Sequence, residues 1–221
     1  MTARKVKQFL VIGAGRFGSS VATTLFELGH DVMVVDSRED VVQEISDSVT
    51  HAVQADSTSE AALKALGIND FDVVIVAIGH HMQASILTVI LLKELGASYV
   101  VAKAQTELHG KVLHKLDVER VVFPERDMGN KVAHALISKN FIDLLELSPQ
   151  YSVVEVMAPR EMEGKTLQSL DLRARYDISV ISLRRSDGIT NISPGAEDLS
   201  NKGDIVVAVG NNAALKKMGW I

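Results

Sequence analysis

The chain has 221 residues, about one and a half typical domains, with 47% hydrophobic and 23% charged residues, the proportions of a globular protein able to bury a core. It has no cysteine, which excludes a disulfide framework, a thiolate zinc site and a cysteine nucleophile. Its net charge of −5, spread as −3 over residues 1–140 and −2 over 141–221, excludes the basic arm or face with which proteins grip nucleic acid.

Arg4, Lys5 and Lys7 before Phe9–Gly15 superficially resemble a signal peptide, but Arg16 interrupts the apolar stretch and no small-residue cleavage site follows. Gln8–Ile12 therefore reads as a first strand. A Gly-rich turn follows, then a helix from about Arg16 to Leu28, stopped by Gly29. Asp31–Val35 is a second strand ending at Asp36, and Glu39–Asp47 a helix. His51–Ala55 is a third strand and Ser59–Leu66 a short helix ended by Gly67. Asp72–Ile78 is a continuous apolar strand of the kind buried on both faces. Gln83–Leu95 is a helix, Tyr99–Ala104 a strand, Glu107–Lys115 a helix and Arg120–Phe123 a sixth strand. This alternation predicts an α/β fold, a Rossmann-like doubly wound parallel six-stranded sheet covered by helices on both faces.

Pro124 ends the sixth strand, and a longer helix is expected from about Asp127 to Asn140. Met128, Val132 and Leu136 repeat every four residues, and Phe141 extends that stripe. Ser148-Pro149 marks a break, after which strands dominate: Ser152–Met157, Ile178–Leu183, Ile189–Ile192 and Ile205–Val209. Thr166–Leu172 reads as a short helix, Ser186-Asp187-Gly188 and Asn201–Asp204 as turns, and Asn212–Met218 as a terminal helical turn. The reading is residues 1–140 as a nucleotide-binding domain including the long helix, and 141–221 as a small α+β domain. No apolar run reaches the roughly 20 residues of a membrane span; the longest candidate, Ala84–Leu92, stops at Lys93. A cytosolic protein is expected.

Gly13-Ala14-Gly15-Arg16-Phe17-Gly18 fits G-x-G-x-x-G, follows a strand and opens a helix. Gly13 permits the tight turn, Gly15 lets a phosphate approach the backbone, and Gly18 lets the helix pack on the strand. Asp36, 18 residues past Gly18, stands where an acid binds both ribose hydroxyls and repels a 2′-phosphate, the reading its spacing favours over a cap for the following helix. Arg16 can meet a terminal phosphate or simply be exposed in a first turn, where a cation is locally unfavourable. Several other residues fall at carboxyl ends of strands, where open α/β sheets hold ligands: Asp56 and Ser57, Gly79 and His80, Lys103, and Glu125. A carboxylate facing phosphates is repelled unless a cation intervenes. Glu125 can therefore hold a bridging cation, pair with Arg16, or belong to the N-terminal region of the next helix.

Seven histidines invite a metal reading, but His80-His81 are adjacent, His109 and His114 are five apart, and no H-E-x-x-H pattern occurs. A dehydrogenase needs a second domain carrying substrate and a proton donor. The residues after 148 contain no histidine and no compact acid–base pair, and the chain has no G-x-S-x-G elbow or Walker lysine. A sensor rather than an enzyme is expected. The rivals are an NAD-linked oxidoreductase with a compact unrecognised site and an NADH-sensing repressor; the latter lacks a basic recognition helix.

Phe9–Gly18, Val74–Gly79, Val101–Ala104 and Pro124–Gly129 resemble the N-terminal RCK (regulator of potassium conductance, TrkA-N) domain. Gly164–Leu167, Leu170–Tyr176 and Gly203–Gly210 resemble its C-terminal (TrkA-C) partner, in the manner of KtrA/KtrC-type subunits of bacterial potassium uptake systems. The resemblance implies homo-dimers assembled into an octameric ring beneath a membrane potassium-translocating dimer of the KtrB/KtrD type, peripheral to the inner face of the cell membrane. It implies that ATP and ADP compete for the crevice, with NAD(H) also able to bind. Gly13, Gly15, Arg16, Phe17 and Gly18 would then hold phosphates, Asp36 and Ser37 the ribose end, and Asp56, Ser57, Ile78, Gly79 and Lys103 would line the crevice. Glu125, from this or a neighbouring subunit, would meet Mg2+, Ca2+ or Na+ at the terminal phosphate. In the C-terminal domain the resemblance assigns cyclic di-AMP to Leu172, Arg173, Ile178 and Pro194.

Overall fold

The computed structural model describes residues 6–138 and 140–221; Arg4 and Lys5 of the basic start, and Lys139 within the expected long helix, lie outside them. The chain divides into two compact units, residues 1–125 and 126–221.

In the first unit strands and helices alternate as β1 (Gln8–Ile12), α1 (Arg16–Glu27), β2 (Asp31–Asp36), α2 (Glu39–Ile45), β3 (His51–Gln54), α3 (Glu60–Ala65), β4 (Val73–Val76), α4 (Met82–Glu94), β5 (Val100–Lys103), α5 (Glu107–Lys115) and β6 (Arg120–Val122). The strands form one parallel sheet in the order β3-β2-β1-β4-β5-β6. Side chains alternate across a strand, so each strand feeds two cores. Leu10, Ile12, Val74 and Val76 pack with Leu63, Val89, Leu92 and Leu113 of α3–α5. Val11, Val34 and Ile75 pack with Ala22, Val41 and Ile45 of α1 and α2. Both faces being covered, the strands read as continuous apolar runs. The order reverses at β1 and β4, the place where open α/β sheets hold ligands beyond the carboxyl ends.

His109, in α5, is fully buried. Its Nδ1 accepts from the Gln105 N–H at 3.4 Å, while Nε2 has no partner. Burial holds its pKa below the ordinary 6.5. The unfolded chain then takes up a proton that the folded chain refuses, so stability falls as pH drops below about 6.5 and continues to fall until the folded pKa is reached. Urea titrations between pH 7 and 5.5 should show this slope, at most about 1.4 kcal/mol per pH unit, and His109→Gln should flatten it. An unchanged slope in the variant would place the effect elsewhere.

Helix α6 (Pro124–Ile137) starts three residues earlier than expected. Proline has no N–H to leave unpaired in a first turn and a fixed φ suited to it, so Pro124 opens the helix rather than merely closing β6. Met128, Val132 and Leu136 form the expected stripe, but it is exposed. From Arg126 onward the helix is counted with the second unit, where Lys131 Nζ meets Asp143 Oδ1 at 2.8 Å and His134 stacks on Phe141.

Phe141 does not extend that helix. It begins β7 (Phe141–Glu146), followed by β8 (Tyr151–Met157), β9 (Lys165–Thr166), α7 (Leu167–Leu170), α8 (Leu172–Tyr176), β10 (Ile178–Arg184), β11 (Thr190–Asn191), β12 (Leu199–Ser200), β13 (Ile205–Asn211) and α9 (Asn212–Lys217). The helix expected over Thr166–Leu172 is two short helices, because Asp171 adopts φ +44° between them. An antiparallel sheet in the order β11-β10-β13-β8-β7 carries the core, and β9 pairs with β12 apart from it. Val154, Val156, Leu183, Val206 and Ala208 pack with Leu172, Leu215 and Trp220. Buried Asp204 accepts from Arg185 Nη1 and the Asn201 N–H, both at 2.9 Å, and from the Ser186 N–H at 3.3 Å. One carboxylate thus ties together the two predicted turns.

Candidate functional site: a glycine loop and a charge cluster

The loop after β1 is held by short main-chain bonds. Gly13 donates to Val35 O and Ala77 donates to Ile12 O, each at 2.7 Å. Gly13 has φ +98°, and a Cβ there would lie 3.1 Å from the Ala77 carbonyl carbon. A Cβ on Gly18 would lie 1.9 Å from Gly13 O, so α1 crosses directly against the loop. Gly15 differs: nothing lies within 4 Å of a Cβ built there. Gly13 and Gly18 are required by the fold, whereas Gly15 faces open space. Helix α1 starts at Gly15 with no side-chain cap and no acid in its first turn. Its leading N–H groups lack intrahelical acceptors, and with its dipole they suit an anion.

Asp36 sits at the end of β2. Its Oδ2 accepts from the Ala14 N–H at 2.8 Å and its Oδ1 from the Arg38 N–H at 3.0 Å. It therefore does not cap α2, whose N-cap is Arg38; it braces the glycine loop. Ionised carboxylate oxygens have about four acceptor sites, so two remain for hydroxyl donors. Ser37 is exposed, and its carbonyl accepts from Gln54 Nε2 at 3.1 Å.

Past β3, Asp56 accepts from the Thr58 hydroxyl at 2.7 Å and the Thr58 N–H at 2.9 Å. These bonds hold its carboxyl below the usual range. Ser57 Oγ meets buried Thr88 Oγ1 at 3.0 Å, tying the loop to α4. Both residues thus organise the crevice rim.

The other predicted residues converge. Ile78 and Gly79 follow β4 half-buried, and a Cβ on Gly79 would lie 3.7 Å from Lys103 Nζ. That ammonium is 5.8 Å from the centre of the Phe17 ring. It donates to Glu125 Oε1 at 2.6 Å, with Lys103 10% and Glu125 67% exposed in their side chains. The Lys103 hydrogen bond pulls the Glu125 carboxyl below its ordinary value; the Lys103 and Arg16 charges act in the same direction and burial opposes them. The direct partner of Glu125 is thus Lys103 and not Arg16, and Glu125 lies in the first turn of α6, the last of the three readings open for it. The pairing follows from topology: β5 lies beside β6, and Lys103 is in register with Val122, three residues before Glu125. Among the described residues no three histidine, aspartate or glutamate side chains come together to hold a metal ion. A cavity of about 340 Å³ lies elsewhere, among Gln8, Asp31, Met33, His51 and Phe71, and none of the predicted site residues line it.

Two family models divide the chain much as its two kinds of sheet do. The TrkA-N domain matches residues 9–124 and the TrkA-C domain residues 152–219. The chain belongs to the TrkA-N/TrkA-C, or RCK, family. It is 45% identical to Ktr system potassium uptake protein C of Bacillus subtilis, over 93% of this chain and 92% of that one. It is 41% identical to uptake protein A of the same organism, over 96% of each, and 34% identical to uptake protein A of Vibrio alginolyticus, over 92% of each. Among solved structures, the GsuK RCK domain superposes with a TM-score of 0.70 at 16% identity, covering 100% of this chain and 48% of that one. The RCK fold is thereby shown.

In the TrkA-C part of this RCK chain, Leu172 and Ile178 are core residues at 5% and 1% exposure. Arg173 is exposed on α8, and Pro194 is half-buried in the segment after β11. A Cβ on Gly210 would lie 2.8 Å from Ile178 Cγ1, so β13 and β10 pack tightly at this point.

Proposed function

We propose that this chain is the nucleotide-sensing regulatory subunit of a Ktr-type potassium uptake system. The observation that carries the reading is the crevice itself: an open Gly15 at an uncapped helix start, Asp36 braced beside it, and Arg16, Lys103 and Glu125 grouped where terminal phosphates would fall. ATP and ADP compete there and NAD(H) fits the same diol site, with Asp36 disfavouring NADP. Binding changes the shape of an assembly of homo-dimers in an octameric ring, and the ring gates a KtrB/KtrD-type membrane subunit from the cytoplasmic side. No described helix is long and apolar enough to cross a membrane, in keeping with a pore on another chain. The exposed stripe of Met128, Val132 and Leu136 supports pairing between copies, as apolar patches do. Cyclic di-AMP is read in the TrkA-C part through Arg173 and Pro194, over the core formed by Leu172 and Ile178.

A thermal-shift panel of ATP, ADP, NAD, NADH and cyclic di-AMP tests this. A ligand at about 100 times its Kd adds about 2.7 kcal/mol of stability. Shifts with ATP and ADP are expected, and their absence would overturn the sensor reading. Hydride turnover with a reducible substrate would favour an oxidoreductase instead.

A further inference from the structure

Pro194 lies in a loop that closes on itself. Asp198 Oδ2 accepts from the Gly195 N–H at 2.7 Å and from Asn191 Nδ2 at 3.0 Å. The Asp198 N–H donates back to Gly195 O, and Asn191 Oδ1 accepts from the Ser193 N–H, each at 3.1 Å. Two polar side chains thus fold residues 191–198 around Pro194, in the way Asn and Asp stabilise turns. Proline fixes its own φ, but glycine is the freest of residues. The bonds to Asp198 restrain Gly195 where its own backbone does not.

The loop is also anchored. Asp198 O accepts from the Leu167 N–H at 3.0 Å, and Ala196 O from the Gln168 N–H at 2.8 Å. These N–H groups open α7 and have no acceptor within it. Helix α7 leads through Asp171 into α8, which carries Arg173. Behind the loop, Arg185 stands between two carboxylates, 3.6 Å from Asp198 Oδ1 and 2.9 Å from Oδ2 of buried Asp204. Asp198 is therefore where the Pro194 loop, the helix pair bearing Arg173 and the buried Asp204 network are joined.

We propose that Asp198 is the positioning residue of the cyclic di-AMP site. It holds the Pro194 loop in the form that receives the ligand and does not itself touch the ligand. This inference rests on the cyclic di-AMP reading above. Without the carboxylate, the Gly195 N–H and the Asn191 amide lose their acceptor and the loop spreads over other conformations. The ligand then meets the competent form only part of the time, and apparent affinity falls by that fraction. Such a loss lies in the association rate, whereas loss of a direct contact raises the dissociation rate.

Binding kinetics of cyclic di-AMP to the full chain test it, for wild type, Asp198→Ala, Asp198→Asn and Asn191→Ala, with ATP titrated against each. Asp198→Ala should weaken cyclic di-AMP about tenfold, nearly all in association, and change ATP affinity less than about twofold. Asp198→Asn keeps an acceptor for the Gly195 N–H and should return to within about threefold of wild type. Asn191→Ala removes the other side of the loop closure and should slow association about threefold or more, which carries the test if Asp198→Ala does not fold. A loss that lies in dissociation would make Asp198 a ligand contact and overturn the proposal. So would an unchanged affinity, or an equal loss for ATP. Wild type that binds ATP but no cyclic di-AMP would instead overturn the cyclic di-AMP reading, and this inference with it.

Discussion

Gly18→Ala unfolds the N-terminal unit, whereas Gly15→Ala leaves it folded but weakens its hold on nucleotides. The two glycines differ by three positions and by what surrounds them. A Cβ on Gly18 falls 1.9 Å from Gly13 O and 3.0 Å from Ala77 Cβ. Both Gly18 and Gly13 are fixed, one in α1 and the other in a loop bonded to Val35. Relief requires α1 to lift off the sheet and open the core around Ala22. Overpacking ordinarily costs about 1–3 kcal/mol, and backbone against backbone stands at or beyond the upper end. Melting should fall steeply or the protein should become insoluble. At Gly15, φ is −71° and a Cβ built there meets nothing within 4 Å. Alanine fits this backbone, and its poorer N-cap character costs about 1 kcal/mol at most. Its methyl group, however, occupies the space through which a phosphate reaches the helix N–H groups. ATP, ADP and NAD should all weaken by about tenfold or more in calorimetry, roughly the loss of one charge-assisted contact. Full affinity in Gly15→Ala would move the phosphates away from this loop.

The parallel sheet was legible because its signals are local and repeated. Each strand is a short apolar run, and Gly29 and Gly67 punctuate the helices between them. The glycine loop was legible for the same reason. The C-terminal unit was less so. In β7 the pairing with β8 shifts between Phe141 and Asp143, which breaks the period-two pattern, and Phe141 falls near the i+4 rhythm of α6 by coincidence. The two-residue strands β9 and β12 exist only as partners of each other, so no local run announces them. At Asp171 a positive φ divides a helix in a segment whose apolar spacing continues. The site was legible as a set of residues but not as a set of contacts. Asp36 looked like a ribose ligand or a helix cap, and its bond to the Ala14 N–H, which needs the tertiary turn, was invisible. Lys103 and Glu125 stood 22 positions apart as separate candidates. Only the adjacency of β5 and β6 makes them neighbours, and the doubly wound strand order already contained that information.

Arg16→Ala weakens ATP about 10- to 100-fold and ADP less than about threefold, as expected for loss of a hydrogen bond to a charged group worth about 1.5–3 kcal/mol. Arg16 is exposed in the first turn of α1, where a cation opposes the helix dipole. Without ligand the variant should melt no lower than wild type, and a loss of stability would assign Arg16 a structural role. The selectivity follows from reach. The leading N–H groups of α1 meet whichever phosphates lie over Gly15, in ATP and ADP alike. The Arg16 charge, by contrast, acts on Glu125 and helps to lower its pKa. On the proposed reading it meets the phosphate that ADP lacks. Equal losses for both nucleotides would remove Arg16 from that role. The consequence for gating is quantitative. A ligand shifts a two-state assembly only by its differential affinity for the states, and couplings of this kind are about 1–3 kcal/mol. If Arg16 supplies most of the ATP-over-ADP difference, Arg16→Ala leaves a protein that still binds adenine nucleotides but answers both with one conformation.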